Sequence, residues 1–154
     1  MGKRSIKENK SAYQLAREEQ GLTRAAAAEL LNMSESKVEK IENGQVHPDD
    51  VLVMADAYKK PSLLNYYCSN DCPIGQVYVP RVEVKDLPTV TLEILALLNK
   101  LEEEKSRLIE ISADGKISDD ERGDFLKIKD QLEQMSLAAD SLKAWVDEKL
   151  AEGE

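Results

Sequence analysis

Apolar residues in the first part of the chain recur at helical spacing in short bursts, punctuated by hydroxyl, glycine and proline residues. From Ser11 onward Leu15 and Ala16 anchor one face, and Gly21 follows where a helix end favours left-handed backbone, which predicts a first helix near 11–20. Thr23 can cap a second helix over Arg24 to Leu31, whose alanines combine helix propensity with small side chains that permit close packing. Ser34 can cap a third over Glu35 to Asn43, with Val38 and Ile41 on one face and Gly44 at its end. Pro48 suits a first helical position, and Val51, Leu52, Met54, Ala55 and Tyr58 predict a fourth helix that stops before Pro61, with a short fifth near 62–67.

The period then breaks. Residues 68–88 hold three prolines, one glycine and the alternating Val77, Val79, Val82 and Val84, which predicts an extended linker with a little strand character. Beyond Pro88, Thr91, Ile94, Leu98, Leu101, Lys105 and Leu108 recur at alternating steps of three and four. Phe125, Ile128, Leu132, Met135, Ala139, Leu142 and Val146 do the same, and the break at Ala113, Asp114 and Gly115 predicts an antiparallel, coiled-coil-like hairpin. The expected organisation is a basic arm over 1–10, a helical domain over 11–67, a linker over 68–88 and a helical hairpin over 89–150, all-α throughout.

Charge is divided unevenly between these parts. Residues 1–67 carry 10 Lys/Arg and 10 Asp/Glu, residues 68–154 carry 11 and 20, so the second part accounts for the whole net charge of −9. An acidic chain is a poor binder of phosphate backbones, but the acidic excess here lies beyond residue 67, and four of the cations before it, Lys3, Arg4, Lys7 and Lys10, belong to the arm. The start MGKRSIKENK lacks the apolar core of a signal peptide and no apolar run approaches a bilayer span, so a cytoplasmic protein is expected. Its two cysteines, Cys68 and Cys72, are then expected to be reduced.

The run from Arg17 to Thr23, followed by Ala28, Ser34, Val38, Ile41 to Gly44 and Pro48, resembles the XRE family of helix-turn-helix regulators, which includes the phage lambda and 434 repressors. The resemblance covers about residues 10–67 and implies a lambda-repressor-like five-helix DNA-binding domain, a sequence-specific regulator of transcription, and double-stranded operator DNA as partner. It implies that Arg17 pairs with Glu42 as a structural ion pair. It also sets Thr23 and Arg24 against a phosphate, Arg24 standing where glutamine is common in the family. Ser34, Glu35, Ser36, Lys37, Lys40 and Asn43 are then the remaining DNA-binding candidates: Lys40 can donate to guanine, Glu35 can accept from cytosine, and Asn43 lies near the flanking backbone.

Other features have plainer readings. Glu110 to Glu121 has the spacing of a calcium loop, but Glu110 and Ser112 are weak first and third ligands, and Ser118 with Glu121 reads as a capping box. Cys68 and Cys72 fall short of a four-ligand zinc site unless a dimer completes it, and packing beside Tyr66 and Tyr67 is expected instead. His47 reads as a surface or DNA-proximal residue and Trp145 as packing, and no nucleophile-base pair accompanies either, so neither an enzyme nor a cofactor is expected. Leu95, Leu97, Leu137, Trp145 and Leu150 lie off the two stripes and can supply a second surface, through which residues 89–150 would form a homodimer. The alternative function class is a prophage or antitoxin-like interaction protein whose acidic hairpin binds a protein partner, with weak or no DNA binding. Glu35, the balanced charge of residues 1–67 and the acidic tail favour it.

Overall fold

The computed structural model describes residues 9–153. Of the expected basic arm, residues 1–8 lie outside the described residues, and Lys10 bonds Glu18 at 2.6 Å, which holds the Glu18 carboxyl below its usual range. The chain is all-α: α1 (Ala12–Glu19), α2 (Arg24–Leu30), α3 (Glu35–Glu42), α4 (Pro48–Ala57), α5 (Ser62–Tyr66), a π-helical turn (Tyr67–Asp71), α6 (Gly75–Tyr78), α7 (Leu87–Ser112) and α8 (Arg122–Glu152). Among the described residues no helix is long and apolar enough to cross a membrane. Two compact units form, one reaching Arg81 and including the chain from Asp147, the other Val82–Val146. The first therefore extends past the edge expected at residue 67.

One device is repeated through the first unit. Ser11, Thr23 and Ser34 each stand outside the helix in extended backbone, and each side-chain oxygen accepts the N–H three residues on at 3.2 Å. Helices α1 to α4 all close with the paired backbone bonds of a Schellman end, as in Leu22 N–H to Arg17 C=O with Gly21 N–H to Glu18 C=O. The left-handed residue is Gly21, Asn32, Gly44 and Lys59 in turn. Such sharp ends let four short helices fold back around one core of Tyr13, Ala16, Ala27, Val38, Ile41, Val51, Met54 and Tyr58. Ala27 and Ala28 bring α2 close to its neighbours, and Tyr13, rather than Leu15, supplies the buried anchor of α1.

Residues 68–88 contain no strand, unlike the expected linker. The Tyr13 ring meets Tyr66 edge-on, with centroids 5.7 Å apart, and its hydroxyl donates to Asp71 at 2.5 Å, so the chain stays helical through the π-turn. Burial, with Asp71 beside it, pushes the Tyr13 hydroxyl far above its usual range. Cys72, which precedes Pro73, is extended and ends the turn. Gly75 then lies against the Cys68 carbonyl so closely that a Cβ there would sit 1.9 Å from the oxygen. Cys68 and Cys72 are unbonded and half-buried, and Cys72 Sγ accepts the Gly75 N–H at 3.4 Å. Helix α5 lacks a side-chain cap of its own; the buried Glu148, in the last turns of α8, accepts the Ser62 N–H at 2.8 Å.

In the second unit Asp86 caps α7 by accepting from the Thr89 N–H at 3.0 Å and the Thr89 hydroxyl at 2.8 Å. Arg107 meets Asp124 at 2.7 Å and Lys127 meets Glu104, which sets α7 and the first part of α8 antiparallel. The contact stripe corrects the expected one. It runs through Val90, Ile94, Leu97, Leu101, Glu104, Leu108 and Ile111 on α7, and through Phe125, Ile128, Gln131, Met135, Ala138 and Leu142 on α8. Thr91, Leu98, Lys105, Leu132, Ala139 and Val146 are exposed, and Leu97 is in the seam rather than off it. Residues 87–98 are apolar on almost every side, so two registers are available there. The choice falls to the one that buries Ile111 instead of Lys105 and places small Ala138 and Ser141 in the seam. At the connecting loop Gly115 has φ 69°, and Glu121 accepts the Ser118 N–H at 3.0 Å.

Candidate nucleic-acid interface

Helices α2 and α3, joined by the turn at Leu31 to Ser34, pack through Ala27, Ala28, Val38 and Ile41. With those apolar groups inward, helical periodicity turns Ser36, Lys40 and Asn43 to the middle of the open face of α3, and all three are exposed. Glu35 is exposed at the start of this helix, and Thr23 at the start of α2, where its hydroxyl oxygen is engaged with Ala26 N–H. Ser34 is likewise occupied as the cap of α3.

Lys37 and Glu39, on the two edges of this face, turn sideways. Lys37 Nζ meets Asp50 at 2.6 Å in the first turn of α4. Glu39 lies 3.7 Å from Arg24 Nη1. Beneath that edge Arg17 and Glu42 meet: Arg17 Nε donates to Glu42 Oε1 at 2.6 Å, and Arg17 Nη1 to the Leu22 carbonyl at 2.6 Å. Arg24 Nε donates to the other Glu42 oxygen at 2.8 Å, so one carboxylate, only 1% exposed, carries two guanidiniums. Its bond to Glu42 raises the already high pKa of Arg24 further. The Tyr58 hydroxyl, buried beside the pair, has no hydrogen-bond partner among the described residues and is pushed up to about 12, chiefly by burial.

Residues 14–61 match the family model of the helix-turn-helix domain. They form a helix-turn-helix domain. Within it α2 is the first helix of the motif and α3 the second, the one that such domains lay in the major groove. No curated protein and no solved structure matches the chain.

Of the sequence candidates, the helix-turn-helix domain gathers Ser36, Lys40 and Asn43 on one open surface, with Glu35 and Thr23 at its margin. It draws Arg24 and Lys37 into ion pairs with acids that sequence reasoning did not single out, Glu39 and Asp50. Asp50 is the residue a capping argument could have found, as a carboxylate in the first turn of α4 behind Pro48. Glu39 is hidden in a polar run. His47 is exposed and 3.6 Å from Asp49. Among the described residues no cluster of three or more His, Cys, Asp or Glu side chains is placed to hold a metal ion.

Proposed function

We propose that this protein is a sequence-specific transcriptional regulator of the XRE, lambda-repressor-like type, which represses by binding operator DNA in the cytoplasm as a homodimer joined through residues 89–150. The observation that carries this reading is the open surface of α3, where Ser36, Lys40 and Asn43 stand clear of the Arg24–Glu39 and Lys37–Asp50 ion pairs on its flanks. Lys40 is the donor to a guanine edge and Ser36 a tolerant neighbour. Asn43 and Thr23 contact backbone, and Arg24 reaches a phosphate with the guanidinium nitrogens that Glu42 leaves free. Glu35 accepts from a cytosine amino group. The reading involves no cofactor and no catalysis.

A second reading is favoured by the same surface. Arg24 and Lys37 are each held by carboxylates, which lowers the positive potential available to phosphates. That would suit a prophage or antitoxin-like interaction protein that uses its acidic hairpin on a protein partner. The deciding experiment is binding to genomic fragments, including the region upstream of the protein's own gene, at two salt concentrations, for wild type and a Ser36→Ala/Lys40→Ala variant. Site-selective, salt-sensitive binding lost in the variant supports the regulator. Absence of selective binding at both salts overturns it in favour of the partner-binding protein.

A further inference from the structure

The hairpin of the second unit has two unlike flanks. Arg107–Asp124 and Glu104–Lys127 cross the seam on one flank, and each pair joins residues whose numbers place them at the same level of the two antiparallel helices. On a helix of 3.6 residues per turn, residues one position to the other side of the seam must then share the opposite flank. There Leu98 is level with Leu132, and Thr91 with Ala139, with Lys105 seven residues beyond Leu98 on α7 and Val146 seven residues beyond Ala139 on α8; all are exposed, Leu98 at 49% and Leu132 at 47%. Leu95, 52% exposed, widens this strip at its outer edge. A two-helix seam filled partly by Glu104, Gln131 and Ser141 leaves such a strip uncovered, and heptad spacing is what a second pair of nearly parallel helices fits.

We propose that this flank is the contact between two copies of the chain, with the two-fold axis parallel to the hairpin so that α8 of one copy lies on α7 of the other. It rests on the dimeric regulator proposed above and specifies its surface. Charge selects a second copy as the occupant. At the outer edge of the strip α7 carries Glu102 and α8 carries Lys129, at the same level. In this arrangement Lys129 faces Glu102 of the partner subunit, twice by symmetry. Their present partners, Lys105 at 3.4 Å and Glu133 on the same helix, are exposed neighbours that exchange readily. The acidic excess at Asp114, Asp119, Asp120 and Glu121 lies at the loop end, away from this strip.

The test is sedimentation equilibrium of the full chain without DNA, over a wide concentration range, with circular dichroism as the check that each variant keeps its helices. Wild type should dimerise and Leu98→Glu/Leu132→Glu should be monomeric. Lys129→Glu and Glu102→Lys should each weaken dimerisation about tenfold, and mixing these two variants should restore it. A monomeric wild type, a Leu98→Glu/Leu132→Glu variant that still dimerises, or a mixture no tighter than either single variant overturns the proposal. If the Leu98→Glu/Leu132→Glu variant loses its helices, the outcome of the charge exchange decides alone. Since no DNA is present, failure of operator binding overturns the regulator and leaves this contact standing.

Discussion

Glu42 and Arg24 meet at 2.8 Å across the helix-turn-helix, on the carboxylate oxygen that Arg17 reaches only through Nη2 at 3.4 Å. Glu42 thus holds both the first helix of the domain and the first helix of the motif against α3. Removing its charge leaves the Arg17 guanidinium, 8% exposed, with only the longer 3.8 Å approach of the half-buried Glu18. Glu42→Gln should therefore lower stability by about 3 kcal/mol, as breaking a buried pair does. Arg24→Gln should cost much less, because that side chain is 39% exposed and its pair is screened. Urea denaturation of the two variants compares them directly, and equal losses would mean that Arg17 does not depend on the pair.

Lys37 offers a separate handle on DNA affinity. Its ammonium is bound to Asp50, which belongs to α4 and lies off the open face of α3. On the regulator reading proposed above, Asp50→Asn should release that charge toward phosphate, raising DNA affinity several-fold and steepening the salt dependence by about one counter-ion. Lys40→Ala should shift both quantities the other way. Titrations at several salt concentrations measure them, and an Asp50→Asn slope equal to that of wild type would remove Lys37 from the interface.

Helix positions in the first unit were legible because Ser11, Thr23 and Ser34 are strong caps and Gly21 and Gly44 mark two left-handed ends. The other two ends were not, because Asn32 and Lys59 carry side chains and nothing local demands φ values of 52° and 51°. The π-turn was illegible for a different reason. What makes Gly75 necessary is the Cys68 carbonyl seven residues earlier, a contact that exists only once the chain has turned. In the hairpin residues 87–98 are apolar on almost every side and support two registers equally well, so the stripe adopted is not the one the spacing predicts. At the candidate site the outward residues of α3 followed from periodicity, whereas the pairing of Arg24 with Glu39 and of Lys37 with Asp50 depends on neighbouring helices.

The two left-handed residues with side chains should respond differently to glycine. Asparagine tolerates this backbone and lysine does not, so Lys59→Gly should stabilise the first unit by roughly 0.5–1 kcal/mol while Asn32→Gly stays near neutral. Thermal denaturation gives the order of the three proteins. A destabilised Lys59→Gly would show that the Lys59 side chain contributes more than its backbone strain removes.

Gly75→Ala should act in the opposite direction. The added methyl would meet the Cys68 carbonyl oxygen at 1.9 Å, backbone against backbone, and neither can yield without opening the π-turn or moving α6. A loss of about 1–3 kcal/mol follows from overpacking of this kind. Limited proteolysis should also show faster cleavage between residues 67 and 81. Wild-type stability together with wild-type cleavage would mean that this segment does not pack as described.

The cap of α7 carries a pH signature of known sign. Asp86 has its carboxyl held below its ordinary value by the Thr89 N–H, with the Thr89 hydroxyl adding to it. A depressed folded-state pKa contributes stability that is present above the unfolded value of about 3.9 and lost as pH falls through the folded one. Many other carboxylates titrate in the same range, so the informative quantity is the difference between wild type and Asp86→Asn. Wild type should have the higher Tm at neutral pH, because an ionised cap accepts both Thr89 donors more strongly than an amide oxygen. That gap should narrow as pH falls below about 4, where protonation removes the advantage. Circular dichroism melts from neutral to acidic pH read it directly. A gap that stays constant would mean that Asp86 caps α7 through its shape alone and that its charge contributes nothing.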